Sequence, residues 1–268
     1  TRKGSIGDVI DFVGIVNGTK FKSSVEYIKR LFNLDDSYIE TVDNTLRDLK
    51  RFKKVEKVKF ERTYLEEKYL LQYEPYIIED WVNEGIPPHI QQKYDIRMDK
   101  RGKRWIIPIR DENNNLVSVK GRTILDNYKI LNIPKYIYYT KLGYNDLLFG
   151  LYYNRENILA RKEVIIFEGE KSVMKAESYG FNNCIAVGMG VINPETLKKI
   201  ISLNSDVVIA LDKGVANEDV LDQAKKLKMF CNVYIIEDTD NLLKNKDAPV
   251  DQGSDTFITL YNSKRRVF

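Results

Sequence analysis

Two acids stand where a folded chain can put a carboxylate to chemical use. Glu168 follows Ile165-Ile166-Phe167, and Asp212 follows Val208-Ile209-Ala210-Leu211, so each comes directly after a fully apolar run of strand length. A carboxylate drawn out of water at such a place is costly unless a cation or a metal ion answers it. Hard oxygen donors of this kind suit Mg²⁺ or Mn²⁺, which bind through a few carboxylates and complete their shells with water and substrate phosphates. Taken singly, either acid also fits the plain role of capping the helix that follows it. Two of them, one per strand end, argue for a shared ion.

Other chemistries find less support. Cys184 and Cys231 are far apart, there is no Cys-x-x-Cys pair, and His89 is the single histidine, so no zinc site and no disulfide framework are expected. Gly188-Met189-Gly190 lacks the spacing and the Lys-Ser/Thr of a nucleotide-binding P-loop and reads as a tight strand-to-helix turn. No apolar stretch nears the ~20 residues that span a bilayer, and Thr1-Arg2-Lys3-Gly4 does not open a signal peptide, which makes the cytoplasm the default location. The 43 Lys+Arg against 39 Asp+Glu leave a net charge of only +4, so any case for nucleic acid rests on where the cations fall.

The acids need elements to hold them. From residue 163 onward the sequence alternates apolar strands with amphipathic helices. EVIIFEGE (163–170) leads into KSVMKAESYG (171–180), CIAVGMG (184–190) precedes a helix opened by Asn193-Pro194-Glu195, and DVVIALDKG (206–214) precedes VLDQAKKLKMF (220–230), with NVYIIED (232–238) as a fourth strand. Strands apolar on both faces and joined by helices predict a parallel sheet covered on both sides, whose ligand crevice lies at the carboxyl ends of the strands. Upstream, residues 104–109 and 116–124 form two β-rich runs around Asp111-Glu112-Asn113-Asn114-Asn115, a hairpin signal, with a third run at 136–140. Residues 76–98 read as helical and then turn-like near Pro87-Pro88. Residues 5–34 carry two short amphipathic helices, and KRFKKVEKVKFER (50–62) is a basic stretch that fits a solvated helix or linker or a nucleic-acid contact.

Glu168-Gly169-Glu170, the turn after it and Asp212 resemble the paired acidic motifs of the Toprim domain, shared by DnaG-type primases, topoisomerases and several nucleases. RWIIPIRDENNNLVSVKGR (104–122) and PKYIYYTKLGYNDLLFGLYY (134–153) resemble, in order, the segments that precede this domain in a DnaG-type primase catalytic core of bacteriophage or mobile-element kind. Residues 3–32 resemble the end of the primase zinc-ribbon domain.

The resemblance implies an α/β fold, a Toprim-type parallel sheet flanked by helices and preceded by a mixed α+β primase-core subdomain. It divides the chain into a helical remnant of the zinc ribbon (1–35), a basic helical linker (36–62), the α+β subdomain (63–160), the Toprim domain (161–241) and a C-terminal helical segment (242–268). It implies synthesis of short RNA primers on single-stranded DNA from ribonucleoside triphosphates, with two or more Mg²⁺ or Mn²⁺ ions and a replicative helicase as partner. Glu168, Asp212 and Asp247 are then catalytic, and Asp251 joins them as a metal ligand; Lys246-Asp247-Ala248 resembles the Lys-Asp-x pattern of phage primases, while Asp238 and Asp240 compete for the same role. Arg104, Lys120, Arg122, Lys135, Lys141 and Lys171 are expected at the groove for nucleic acid and nucleotide. Tyr136, Tyr138, Tyr139, Tyr144, Tyr152 and Tyr153 fit either stacking faces or core packing. The chain departs from the family at Asp212-Lys213-Gly214, where Asp-x-Asp is usual. Glycine replaces the second carboxylate, which puts the metal count in doubt, suggests compensation by Glu170 or Asp247, and keeps open a non-catalytic binding module beside a Toprim nuclease or topoisomerase.

Overall fold

The structure, a computed structural model, describes residues 9–32, 62–142, 146–188, 192–215 and 217–267. The chain divides into two compact units, Thr1–Lys59 and Phe60–Phe268. In the first, helices α1 (Val9–Asn17) and α2 (Phe21–Phe32) meet through a turn at Gly18, whose φ of 65° suits glycine. The Ser24 and Thr19 hydroxyls pair at 2.9 Å beneath that turn. Most of the basic 50–62 stretch lies outside the described residues.

The second unit contains two five-stranded sheets. The first is antiparallel throughout, in the order β1 (Glu74–Pro75), β2 (Arg97–Asp99), β3 (Arg104–Arg110), β4 (Leu116–Thr123), β5 (Tyr136–Tyr138). Its hairpin between β3 and β4 closes as the sequence predicts: Asp111 Oδ1 accepts the amides of Asn113 and Asn115 at 2.9 Å, and Asn114 takes the left-handed conformation that asparagine tolerates. Short helices α3 (Glu79–Asn83) and α4 (Pro88–Lys93) flank Pro87-Pro88. The side-chain amide of Gln91 ties them together, bonding Ile78 through both its amide and its carbonyl, and Ile86 through its carbonyl.

After α5 (Leu151–Arg161) the second sheet begins. Its strands β6 (Glu163–Phe167), β7 (Cys184–Ala186), β8 (Asp206–Ala210) and β9 (Val233–Ile235) are parallel in the spatial order β9-β8-β6-β7. Val164, Ile165, Ile166 and Phe167 are all fully buried, as expected of a strand covered on both faces. Alternation sends Ile165, Phe167, Val208 and Ala210 to one face, where Ile107 and Ile109 of β3 pack, so one core joins the two sheets. Val164, Ile166, Val207 and Ile209 face the opposite layer, against α7 (Pro194–Ser202) and α8 (Asn217–Leu227). Asn193 caps α7 as its sequence predicts, accepting the amides of Glu195 and Thr196. The closing segment, expected to be helical, is helical only over α9 (Ser254–Asn262). It then adds the antiparallel strand β10 (Arg265–Arg266) to β9, secured by a paired contact of Arg265 with Glu237.

Candidate metal centre

Phe167 of β6 pairs with Ala210 of β8, so the chain leaves two neighbouring central strands at one level, with Glu168 one residue beyond and Asp212 two. Helix α6 (Glu170–Ser178) starts immediately after Glu168 and Gly169. The Glu168 carbonyl accepts the Gly188 amide at 2.9 Å, which fastens this turn to the end of β7. Both half-buried acids therefore sit at the carboxyl edge of the parallel strands, where such sheets place their ligands.

Asp212 is the electrostatic anomaly. Its Oδ1 is buried and makes no hydrogen bond. Burial pushes its pKa up to about 7, and the negative charges of Glu168, Asp251 and Asp247 add to the rise, against a smaller opposing pull from Lys135. Those four acids thus share one field. A desolvated carboxylate surrounded by like charge, with an idle oxygen, is the state that a bound cation would relieve.

Asp247 and Asp251 come from the loop after β9. Asp247 Oδ2 accepts the Lys244 amide (2.9 Å) and the Gln252 side chain (2.6 Å); Asp251 Oδ2 accepts the Ala248 amide (2.9 Å). Lys175 also reaches Asp251 Oδ1 at 3.5 Å, and these contacts orient both carboxylates. Asp238 is used differently. It accepts Lys213 and the amides of Leu242 and Leu243, which outweigh burial and hold its pKa below the usual carboxylate range, so its charge is answered within the loop. Asp240 is exposed. Among the described residues no three acids or other ligand side chains converge closely enough to enclose an ion on their own. The donor set fits Mg²⁺ or Mn²⁺, ions that keep waters and take phosphate oxygens beside one or two carboxylates.

The predicted cations divide. Lys120 and Glu170 are 6% and 4% exposed and bond at 2.7 and 2.8 Å, so neither is presented to solvent. Burial pulls the Lys120 ammonium down, and Glu170 with Tyr138 and Tyr136 more than offsets it, leaving its pKa raised. The two tyrosine rings lie 5.5 and 4.7 Å from the ammonium. Glu170, a candidate replacement for the missing carboxylate, is therefore already partnered. Arg104 is also buried, donating to the carbonyls of Gly121 and Pro134. Gly121 must be small because a Cβ there would stand 2.6 Å from the Tyr139 ring. Tyr139 packs against Tyr73 and donates to Asp99, and Tyr153 packs against Tyr94; both belong to the protein's own aromatic packing. Tyr144 lies outside the described residues, and Tyr152 is exposed.

Arg122 lies over the rings of Trp81 and Trp105 at 5.9 and 5.3 Å. Lys171 pairs with Glu84, yet burial wins and lowers its pKa. Lys135 and Lys141 are exposed. Arg122 and Lys135 line one cavity of about 210 Å³ with Trp81, Trp105, Glu84 and Tyr128. Of this wall, Lys135 lies within electrostatic reach of Asp212. The tryptophans were not singled out from sequence; the aromatic-cation contact joins residues from α3, β3 and β4 that no local pattern links.

A family profile described as the Toprim domain matches residues 162–237, the stretch that carries β6 to β9 and both strand-end acids. The chain carries a Toprim domain. The SPbeta prophage-derived uncharacterized protein YorJ of Bacillus subtilis is 28% identical over 284 residues, covering 91% of this chain and 74% of that protein. The DNA primase of Halalkalibacterium halodurans is 28% identical over 170 residues, covering 63% of this chain and 26% of that primase. The match to the DNA primase of Staphylococcus aureus, 23% identical, covers 74% of this chain and 32% of that enzyme, so the chain spans about a third or less of these primases. Among solved structures, the zinc-binding and RNA polymerase domains of the Aquifex aeolicus primase align over 97% of this chain and 71% of that one, with a TM-score of 0.59 and 18% identity. A DnaG catalytic core aligns over 70% of this chain and 72% of that one, with a TM-score of 0.57 and 12% identity. The fold is that of a primase catalytic core, its Toprim sheet preceded by the mixed α+β sheet. Among the described residues no helix is long and apolar enough to cross a membrane.

Proposed function

We propose that this chain is the catalytic part of a DNA primase, making short RNA primers on single-stranded DNA from ribonucleoside triphosphates. One observation carries the reading: Asp212, its Oδ1 idle and its pKa lifted to about 7, lies at the carboxyl edge of a Toprim sheet within the field of Glu168, Asp247 and Asp251. These four acids would hold Mg²⁺ or Mn²⁺. Bound there, divalent metal supplies charge neutralisation on the triphosphate and activation of the attacking hydroxyl. The chain's own task is placement. Asp247 and Asp251 are oriented by backbone amides, Glu168 by the turn pinned to Gly188, and Lys135 and Arg122 provide positive charge for phosphate oxygens. One structural neighbour is a DnaG primase catalytic domain bound to single-stranded DNA, which supports the same class of template. A replicative helicase is the partner such a primase would serve.

The test incubates the chain with single-stranded DNA, ribonucleotides and Mg²⁺ or Mn²⁺, with and without a pre-annealed primer, beside Glu168→Ala. Short RNA products that disappear in the variant are expected. Strand cleavage independent of ribonucleotides would instead assign a Toprim nuclease. DNA binding with no metal-dependent product would assign a binding module, the reading that Gly214 favours.

A further inference from the structure

The residue after Asp212 does more than separate it from a glycine. The Lys213 amide donates to the Asp247 carbonyl at 2.8 Å, and the Lys213 carbonyl accepts the Lys246 amide at 2.9 Å, a two-way backbone clasp. Its ammonium reaches back along the same loop to Asp238 Oδ2 (2.7 Å), Asn241 Oδ1 (3.2 Å) and the Leu243 carbonyl (2.9 Å). One lysine thus holds the loop near its start and at Asp247. From the Glu168 side, α6 grips the next stretch: Lys175 donates to the Asp251 carbonyl at 3.3 Å, and the Tyr179 hydroxyl to that of Val250 at 3.3 Å.

Gly214 completes the arrangement. Its φ of 105° lies in the region that L residues rarely adopt, and a Cβ there would stand 2.9 Å from Asn245 Oδ1, within the clasped loop. The Asn245 contact is with the end of a flexible side chain, so it is the backbone conformation that strains any side chain at 214, a carboxylate included. Glu170 is no substitute, because Lys120 occupies it.

We infer that Lys213 is a positioning residue of the metal centre, delivering Asp247 to Asp212 in place of the carboxylate that Asp-x-Asp would carry at 214, and that Gly214 supplies the backbone conformation the exchange needs. This rests on the acids being metal ligands, the reading given above.

Titration of the full chain with Mn²⁺ alone, reading the free-ion electron paramagnetic resonance signal, tests it without primer synthesis. Supporting residues around metal ligands typically contribute 10- to 100-fold in affinity. Asp247→Asn is expected to weaken Mn²⁺ binding about tenfold; Lys213→Met, which removes the ammonium's hold on Asp238, Asn241 and Leu243 but keeps the backbone clasp, is expected to weaken it less, and the double variant to be scarcely weaker than Asp247→Asn alone, because Lys213 acts only through the placement of Asp247. A lysine that merely stabilised the fold would leave affinity unchanged or add independently to Asp247→Asn. Gly214→Asp, which restores the family's second acid, is expected to weaken binding. Should Lys213→Met fail to fold, Asn241→Ala removes one partner of the Lys213 ammonium and is expected to weaken binding more mildly. Wild-type affinity in Lys213→Met beside a weakened Asp247→Asn, or tighter binding in Gly214→Asp, overturns the inference while leaving the metal centre standing. No Mn²⁺ binding by the wild-type chain removes the metal centre itself, and the inference with it.

Discussion

Two carboxylates in this protein, separated along the chain by two helices and two strands, have been drawn out of water with opposite outcomes. Glu170 is buried against Lys120, both its oxygens bonded and two tyrosine rings closing over the ammonium. Asp212 is half-buried among three other acids with one oxygen idle. The first site is complete within the protein and joins the two sheets across β4 and α6. The second is incomplete, and its cost is the kind a chain retains when an outside cation supplies the remainder. What sets Asp212 apart is neither burial nor an idle atom alone, but an unpartnered carboxylate oxygen held among like charges.

The largest expected effect comes from breaking the complete site. Lys120→Met or Glu170→Gln leaves an uncompensated group in a dry environment and should cost about 3–5 kcal/mol of stability, whereas replacing both partners together should cost clearly less than the sum. Denaturant unfolding of the two singles and the double measures this. Near-zero cost in the singles would mean that water reaches the pair and that Lys120 is available to nucleic acid after all.

The incomplete site should respond the other way. Asp212→Asn is expected to abolish metal-dependent product while raising stability by about 1 kcal/mol at pH 8, since it removes a charge that burial and its neighbours disfavour. The pH dependence follows from the sign of the shift. Folding raises the Asp212 pKa from 3.8 to about 7, so between those values the folded state holds a proton that the unfolded state has lost, and stability from this group falls as pH rises. The advantage of Asp212→Asn over wild type should therefore be absent below about pH 4, grow across the window and level off above about pH 7. Unfolding midpoints of both chains at pH 4, 6 and 8 check it. A gain that shrinks as pH rises would show that some group of the chain already compensates Asp212.

The contrast between the sites also explains what could be read from the sequence. Runs such as Val164–Phe167 and Val207–Ala210 bury both faces of a strand, and that pattern is local, so the Toprim sheet and the two acids at its edge were legible. The Asn193-Pro194 helix start and the Asp111–Asn115 turn were legible because a cap or a turn is written within a few residues. Partnership was not. Lys120 and Arg104 sit in strands like any groove-facing cation, and only the fold brings Glu170 to one and the Gly121 and Pro134 carbonyls to the other. Nor could the sequence rank Asp238 against Asp247. Both follow β9, but the side chain of Lys213 consumes the first while its backbone presents the second.

The smallest effect tests how finely the incomplete site is tuned. Lys135, exposed on the loop before β5, is the cation that opposes the rise in the Asp212 pKa. An exposed cation is worth about 0.5 kcal/mol, which corresponds to about 0.4 of a pH unit. Lys135→Met should therefore move the midpoint of the Asp212 titration, followed by carboxyl NMR in metal-free protein, upward by that amount. The same variant should weaken phosphate-bearing ligands more at low salt than at high, because exposed charges are screened. If the midpoint stays where it is while nucleotide binding falls, Lys135 faces the phosphate alone. If both move together, one lysine serves the acids when the site is empty and the substrate when it is full, a dual use for which the complete Lys120–Glu170 pair has no capacity left.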